Sequence, residues 1–256
     1  MGCEQSAFGH VGIIVPDMKK AADFYQVCFG FPVEKRIENK EKGLELLFLD
    51  AGNGSVELIC RAGESNAVVE GAIDHIAFIC ADLVQGMKVL QARGIAAADF
   101  VVKDSPSGGK HTFFPGPFGE KLQLLAGDMS AYEGDFALEH IGIRVKSLDE
   151  TLKYYQRGLG FDIVLSRTHL QRKPRIIFLR AGAGAMIELV ENDRDAGSNP
   201  VEHFALKVGN IPYWLEQMER FIALPNKEPN LTASGTSMNI KVKAPDGEVV
   251  ELIQPV

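Results

Sequence analysis

His203-Phe204-Ala205-Leu206-Lys207-Val208 and Pro245-Asp246-Gly247-Glu248-Val249-Val250-Glu251-Leu252-Ile253 are the two ends of one repeating unit. Both alternate with period two, the pattern of a half-buried strand. On the first, Phe204, Leu206 and Val208 share one face, and His203, Ala205 and Lys207 share the other. On the second, Val250 and Leu252 share a face, and Glu251 lies opposite with Val249 and Ile253. A histidine and a carboxylate, 48 residues apart (203 to 251), thus stand on the face turned away from the side suited to a helix. That pair recurs.

Four of the six histidines, His10, His75, His140 and His203, are spaced 65, 65 and 63 residues apart, and each opens a similar strand. Their partners at 47 or 48 residues are Glu57, Gln123, Glu188 and Glu251. Seven residues after each histidine stands a helix N-cap type: Asp17, Asp82, Ser147 and Asn210. An amphipathic helical stretch follows, and then three more strands. In the first unit these are Val33–Ile37, Leu44–Asp50 and Val56–Cys60, after a strand Phe8–Val15 and a helix Met18–Phe29. The last two strands are joined by Ala51-Gly52-Asn53-Gly54, a strong hairpin signal matched at Gly116–Gly119, Ala181–Gly184 and Pro245–Gly247. Self-similarity at a fixed period outranks any local motif, so the chain reads as four βαβββ modules, an α+β fold. They span about 5–61, 73–126, 137–191 and 200–256, with linkers Ala62–Ala72, Gly127–Phe136 and Asn192–Asn199.

A length of 256 residues accommodates two domains. Hydrophobic and charged fractions of 46% and 24% are those of a soluble globular protein. A net charge of −7 speaks against nucleic acid, which needs a basic footprint. No apolar run approaches the ~20 residues of a membrane helix, and Met1 is followed by no signal-peptide core, so a cytoplasmic location is expected. Cys3, Cys28, Cys60 and Cys80 lack metal-type spacing and read as free thiols.

Phe24-Tyr25 through Phe29-Gly30-Phe31 and Tyr154-Tyr155 through Leu159-Gly160-Phe161, together with the hairpins Phe114–Glu120 and Ala244–Gly247, resemble the vicinal oxygen chelate superfamily. That superfamily includes glyoxalase I, bleomycin-resistance proteins, methylmalonyl-CoA epimerase and extradiol dioxygenases. The resemblance implies that modules pair to close a curved mixed sheet into a metal-binding cup. Helices lie outside it, and the first and last strands form its floor. Consecutive modules are expected to pair, giving one domain over residues 1–130 and another over 131–256, although linkers of similar length leave swapped pairings open.

Imidazole and carboxylate suit Zn, Ni, Co, Mn or Fe(II). With consecutive pairing, His140, Glu188, His203 and Glu251 form one site with two neutral and two charged ligands. His10, Glu57, His75 and Gln123 form a weaker one, where Gln123 can ligate through its amide oxygen but cannot be a base. By resemblance to glyoxalase I, Glu251 fits the proton-carrying role, with Glu188 as the second catalytic carboxylate. Arg144 and Lys207 stand four residues beyond a ligand histidine, on its face, and a basic hairpin, Ser166–Arg175, includes His169. These residues suit a small anionic substrate.

The expected activity is that of a metal-dependent lyase or isomerase. The alternatives are an extradiol dioxygenase using His140, His203 and Glu251 as an Fe(II) triad, and a non-catalytic binding or resistance protein. The loop Ser105–His111 reads as a hairpin tip without the context of a phosphate loop. The expected partner is a small molecule, with neither nucleic acid nor membrane, and the chain is expected as a monomer or homodimer.

Overall fold

A computed structural model describes residues 6–64, 69–104, 109–166, 174–192 and 197–256. Module one contains β1 (Ser6–Ile14), α1 (Met18–Phe24) continuing into a π-helical turn Tyr25–Phe29, β2 (Val33–Asn39), β3 (Leu44–Asp50) and β4 (Ser55–Arg61). A short β5 (Val69–Glu70) precedes module two: β6 (Ile73–Cys80), α2 (Leu83–Ala92), β7 (Val101–Asp104), β8 (Lys110–Pro115) and β9 (Lys121–Ala126). Module three holds β10 (Ala137–Val145), α3 (Leu148–Lys153) with a π-helical turn Tyr154–Gly158, β11 (Asp162–Ser166), β12 (Ile176–Arg180) and β13 (Met186–Glu191). After β14 (Ser198–Asn199), module four holds β15 (Val201–Val208), α4 (Ile211–Met218), β16 (Asn230–Leu231), β17 (Ser237–Lys243) and β18 (Val249–Pro255).

The helix starts follow the capping chemistry expected at three of four positions. Asp17, Asp82 and Asn210 accept from the backbone N–H groups of Lys20, Gln85 and Tyr213. Ser147 makes no such bond, and Glu191 accepts from the Leu148 N–H in its place, at 3.3 Å. Within every module the first strand pairs in parallel with the last.

The modules do not pair consecutively. One eight-stranded sheet runs β16-β17-β18-β15-β1-β4-β3-β2 and joins modules four and one. The other runs β11-β12-β13-β10-β6-β9-β8-β7 and joins modules three and two. The joins are antiparallel, β1 on β15 and β10 on β6. The reason lies behind the sheets. Module one buries its helical side against module two: Phe29 meets Phe78 at 4.5 Å between centroids, and the Tyr25 hydroxyl donates to Glu120 at 2.8 Å. Module three does the same with module four, through Tyr155 on Phe204 and its hydroxyl on Glu248. Consecutive modules packed back to back through their helices turn their concave faces apart, so each cup closes with a module from the other half of the chain.

The halves are stitched at two further places. The Ala-Gly-x-Gly turns reach across: Ala183 O accepts from Phe8 N, Asn53 O from Ala185 N, and Ala51 O from Leu138 N. Two linkers also pair with each other, β5 on β14. One contiguous apolar core runs behind both sheets. No helix among the described residues is long and apolar enough to cross a membrane, and Cys28, Cys60 and Cys80 are free thiols.

Candidate metal centres

In the one–four cup, His10 on β1, Glu57 on β4, His203 on β15 and Glu251 on β18 converge, all buried. His10 Nε2 lies 3.1 Å from His203 Nε2, 3.1 Å from Glu57 Oε2 and 3.2 Å from Glu251 Oε2. His203 Nε2 lies 3.3 and 3.1 Å from the same two carboxylate oxygens. Ligands ~2.0–2.2 Å from one divalent ion stand roughly 3.0–3.5 Å apart in octahedral or tetrahedral sites. The four donors fit such an ion.

In the two–three cup, His75 Nε2 and His140 Nε2 are 3.1 Å apart, and Glu188 Oε2 is 3.4 Å from each. Gln123 lies opposite Ala77 on the neighbouring strand, as Glu251 lies opposite Ala205. Its Oε1 is buried without a hydrogen-bond partner among the described residues. An orphaned buried acceptor costs ~1–3 kcal/mol, and a cation beside it would remove that deficit. These residues also fit a divalent ion, with one negative charge fewer.

Small side chains make the close approach of the histidines feasible. His203 sits opposite Gly12 across the β1–β15 join, where a Cβ would lie 2.2 Å from the imidazole Cε1. His75 sits opposite Gly142, where a Cβ would lie 2.0 Å from Cε1. His10 and His140 face Ala205 and Ala77.

The residue before each histidine falls in a break of register at these joins: Gly9, Asp74, Glu139 and Glu202 are passed over in the pairing. A bulge re-aims side chains, and the three acids reach the histidine that follows them. Asp74 Oδ2 is 2.9 Å from His75 Nδ1, Glu202 Oε2 is 3.0 Å from His203 Nδ1, and Glu139 bonds His140 Nδ1. Such an outer carboxylate fixes the tautomer that presents Nε2 to a metal. Gly9 leaves His10 without this partner. Strict alternation assigns these acids to the opposite face and so misses their role, although Asp-His, Glu-His and Glu-His open three of the four strands.

The field at both sites favours a cation. Burial raises the carboxyl pKa of Glu57, Glu188 and Glu251, but the imidazoles overcome it. Glu57 is held down at about 2, and Glu188 and Glu251 are held well below the usual carboxylate range. Burial likewise disfavours imidazolium, yet the carboxylates lift His203 and His140 to about 10. Metal binding at either site would release the protons held on these imidazoles, so its affinity would rise with pH.

The expected site residues are therefore regrouped. Glu251 and Glu188 lie in different cups, as do His203 and His140, so neither the expected set His140, Glu188, His203, Glu251 nor the triad His140, His203, Glu251 is assembled. His10 and Glu57 join the module-four ligands, and His75 and Gln123 join the module-three ligands. The back-to-back packing of consecutive modules is the cause. Lys207 and Arg144 are separated too. Lys207 lines the one–four cavity, whereas Arg144 binds Asp74 at 2.6 Å beside His75. His169 and residues 167–173 lie outside the described residues, and Arg175 is committed to Glu191 and Asp149.

Three further residues emerge only from the fold. Asn239 donates from Nδ2 to Glu251 Oε1. Lys241, directly opposite Glu251, bonds Glu202 and stands 3.2 Å from His203 Nδ1. His111, read as part of a hairpin tip, is on β8 and buried. Above the one–four donors lies a cavity of about 320 Å³.

Two curled mixed sheets, each with a buried His/carboxylate cluster on its floor, define a βαβββ-module protein with paired candidate metal cups. The glyoxalase/bleomycin resistance protein/dioxygenase superfamily model matches residues 7–124 and 137–252, and the chain belongs to that superfamily. Among similar proteins, a probable lactoylglutathione lyase of Vibrio cholerae is 30% identical over 122 residues, covering 45% of this chain and 88% of the relative. A probable chloroplastic lactoylglutathione lyase of Arabidopsis thaliana is 24% identical over 181 residues, covering 68% of this chain and 49% of the relative. The crystal structure of glyoxalase I from Zea mays superposes with a TM-score of 0.80 at 19% identity, covering 98% of this chain and 93% of that one. At that identity the likeness is one of fold.

Proposed function

We propose that the protein is a divalent-metal-dependent lyase or isomerase of the glyoxalase I type, working in the one–four cup. Its substrate is small, presents two neighbouring oxygens and carries a negative charge. The observation that carries this reading is the coincidence, in one cup, of the two-histidine, two-carboxylate cluster with the cavity lined by Lys207. Relatives named as lactoylglutathione lyases support the reaction class. A bound divalent ion would supply Lewis acidity toward the substrate oxygens.

The chain supplies the rest. Glu251 removes the proton beside the substrate carbonyl and returns it to the neighbouring carbon. Asn239 holds Oε1 and so fixes the orientation of the carboxylate, with Oε2 toward the two imidazoles. The Phe48 ring, edge-on to His10 at 5.3 Å, keeps water from one side of the floor. Lys207, an exposed cation with no ion-pair partner among the described residues, receives the anionic end. A charge-assisted contact of this kind is worth ~1.5–3 kcal/mol, so Lys207→Ile should weaken binding of an anionic competitor about tenfold or more. Arg144→Ile, in the other cup, should leave that affinity unchanged.

The decisive experiment is Glu251→Gln, which keeps an oxygen ligand and loses the base. Turnover on hemithioacetals, CoA thioesters or hydroxy ketones should fall by ~10²–10⁴-fold. Incorporation of solvent deuterium next to the substrate carbonyl should fall with it, while element analysis still finds metal. Near-normal turnover by the metal-loaded variant would overturn the assignment. So would a wild type that exchanges no proton on any of these substrates, which is the behaviour of a binding protein.

A further inference from the structure

Behind the sheets, where the helical sides of modules one and two meet, lies a cavity of about 530 Å³. Phe24 and Cys28 of module one line it, with Arg93, Gly94 and Ala96 from the end of α2 and the turn Pro115–Pro117. Small-molecule sites typically enclose ~300–1,000 Å³, so a ligand fits by size. None of the metal-facing residues borders it.

The other half of the molecule shows what such a place holds. The repeat carries module two onto module four with a shift of 128 residues (75 to 203), and module one onto module three with a shift of 130 (10 to 140). The shifts hold in space: Tyr25 on Glu120 becomes Tyr155 on Glu248. By the same shifts, Arg93, Gly94 and Ala96 correspond to Phe221, Ile222 and Leu224. Phe221 stands edge-on to Tyr154, 6.5 Å between centroids, and over Gly158, where a Cβ would meet its ring at 3.4 Å. Ile222 and Leu224 pack against the core. Tyr154 and Gly158 are the counterparts of Phe24 and Cys28. The cavity is thus the place that module four fills with an aromatic ring and two aliphatic side chains.

Module two leaves it open. Gly94, at φ 111°, has no side chain, and a Cβ there would meet no atom within 4 Å. Ala96 is exposed. The Arg93 guanidinium is committed elsewhere, donating to Cys28 O at 3.0 Å and to Asp135 at 2.6 Å. Cys28 and Ile95 are larger than Gly158 and Ala223, yet the cavity remains. Val27 borders it at 58% exposure, where module three has Arg157.

The charged lining argues for a neutral occupant. Lys20, Arg93, Asp23 and Asp99 contribute two charges of each sign. Asp23 pairs with Lys19 and Arg93 with Asp135. Lys20 has no carboxylate partner among the described residues. Its Nζ donates to Pro117 O at 3.2 Å and lies 4.9 Å from the centre of the Phe118 ring, which leaves it N–H capacity for an acceptor.

We propose that this cavity binds a small neutral aromatic molecule. Its ring takes the place that Phe221 occupies in the other half, edge-on to Phe24, and an acceptor oxygen meets Lys20 Nζ. The site is separate from both cups and does not depend on the reaction assigned to the one–four cup.

The probe is 4-fluorobenzamide, a neutral ring with one amide acceptor, titrated with metal-loaded protein and followed by the fluorine resonance. It should bind saturably, and His10→Ala and His75→Ala, each alone, should leave its affinity unchanged. Ala96→Leu restores the side chain found at Leu224, on an exposed residue with ordinary extended backbone (φ −65°, ψ 137°). It should weaken binding about tenfold or more, equivalent to ~1.4 kcal/mol. Lys20→Met, also at an exposed position, keeps the apolar stem and should weaken binding about fivefold or more through the lost charged donor. The proposal is overturned if wild type shows no saturable binding, or if either histidine variant, folded as the wild type, abolishes it. It is equally overturned if Ala96→Leu and Lys20→Met both bind as the wild type does. Binding is read without turnover, so failure of the proposed reaction is a separate result.

Discussion

At the residue scale, Gly12 shows how little space the donors leave. A methyl group there would meet the His203 ring at 2.2 Å, so the imidazole must move off its position. Gly12→Ala should cost about 1–3 kcal/mol of stability through overpacking, and metal titration should show the loss confined to the one–four cup. Gly142→Ala should do the same to the two–three cup through His75. Unaltered metal binding in both variants would mean that the rings can step aside without losing the ion. The bulge acids act more gently. Glu202→Ala removes the partner of His203 Nδ1 and should lower metal affinity in the one–four cup ~10–100-fold, measurable by competition with a chelating dye. The four histidines and their partners at 47 or 48 residues were legible in the sequence because a repeat exposes them together. The acids preceding three of these histidines stand in the same sequence, but strict alternation puts them on the opposite face, and the bulges at the joins interrupt that alternation. Asn239 and Lys241 carry no such signal, since their roles arise from β17 lying beside β18.

At the scale of elements, strands, helices and turns follow the sequence pattern within a residue or two, and the remaining differences have local causes. The expected helix Met18–Phe29 is α-helical to Phe24 and then widens into a π turn, which places Tyr25 over Glu120. The matching turn of module three places Tyr155 over Glu248. The two buried acids are not equivalent. Both oxygens of Glu120 are bonded, to Tyr25 and to the Phe118 N–H, whereas Glu248 Oε2 has no partner among the described residues. Burial raises Glu248 from 4.5 to about 7. A carboxyl raised in the folded state stabilises fully below its unfolded pKa and loses that contribution as pH rises through the folded value. Glu248→Gln keeps an acceptor for Tyr155 and cannot ionise. Its melting temperature should therefore exceed that of the wild type by several degrees near pH 8, at ~2–4 °C per kcal/mol, with little difference near pH 5. An equal shift at both pH values would contradict ionisation as the cause.

At the scale of the whole molecule, the sequence established the number of modules and the content of each, but left their pairing open. Linkers of similar length permit consecutive or crossed closure, and the small residues opposite the histidines, glycine in modules one and three and alanine in two and four, fit either. What decides is burial. The aromatic clusters around Phe29 and Tyr155 cover the backs of neighbouring modules, and the cups then form between the halves of the chain. The proposed reaction depends on this crossing, because it puts two carboxylates in one cup and a carboxylate with an amide in the other. Element analysis of paired histidine variants tests it most directly. His10→Ala combined with His203→Ala should lose the metal of a single cup, no more than either change alone, while His10→Ala combined with His75→Ala should lose both. If instead His10→Ala with His75→Ala loses only one, and His10→Ala with His203→Ala empties the protein, consecutive modules close the cups and the crossed pairing is wrong.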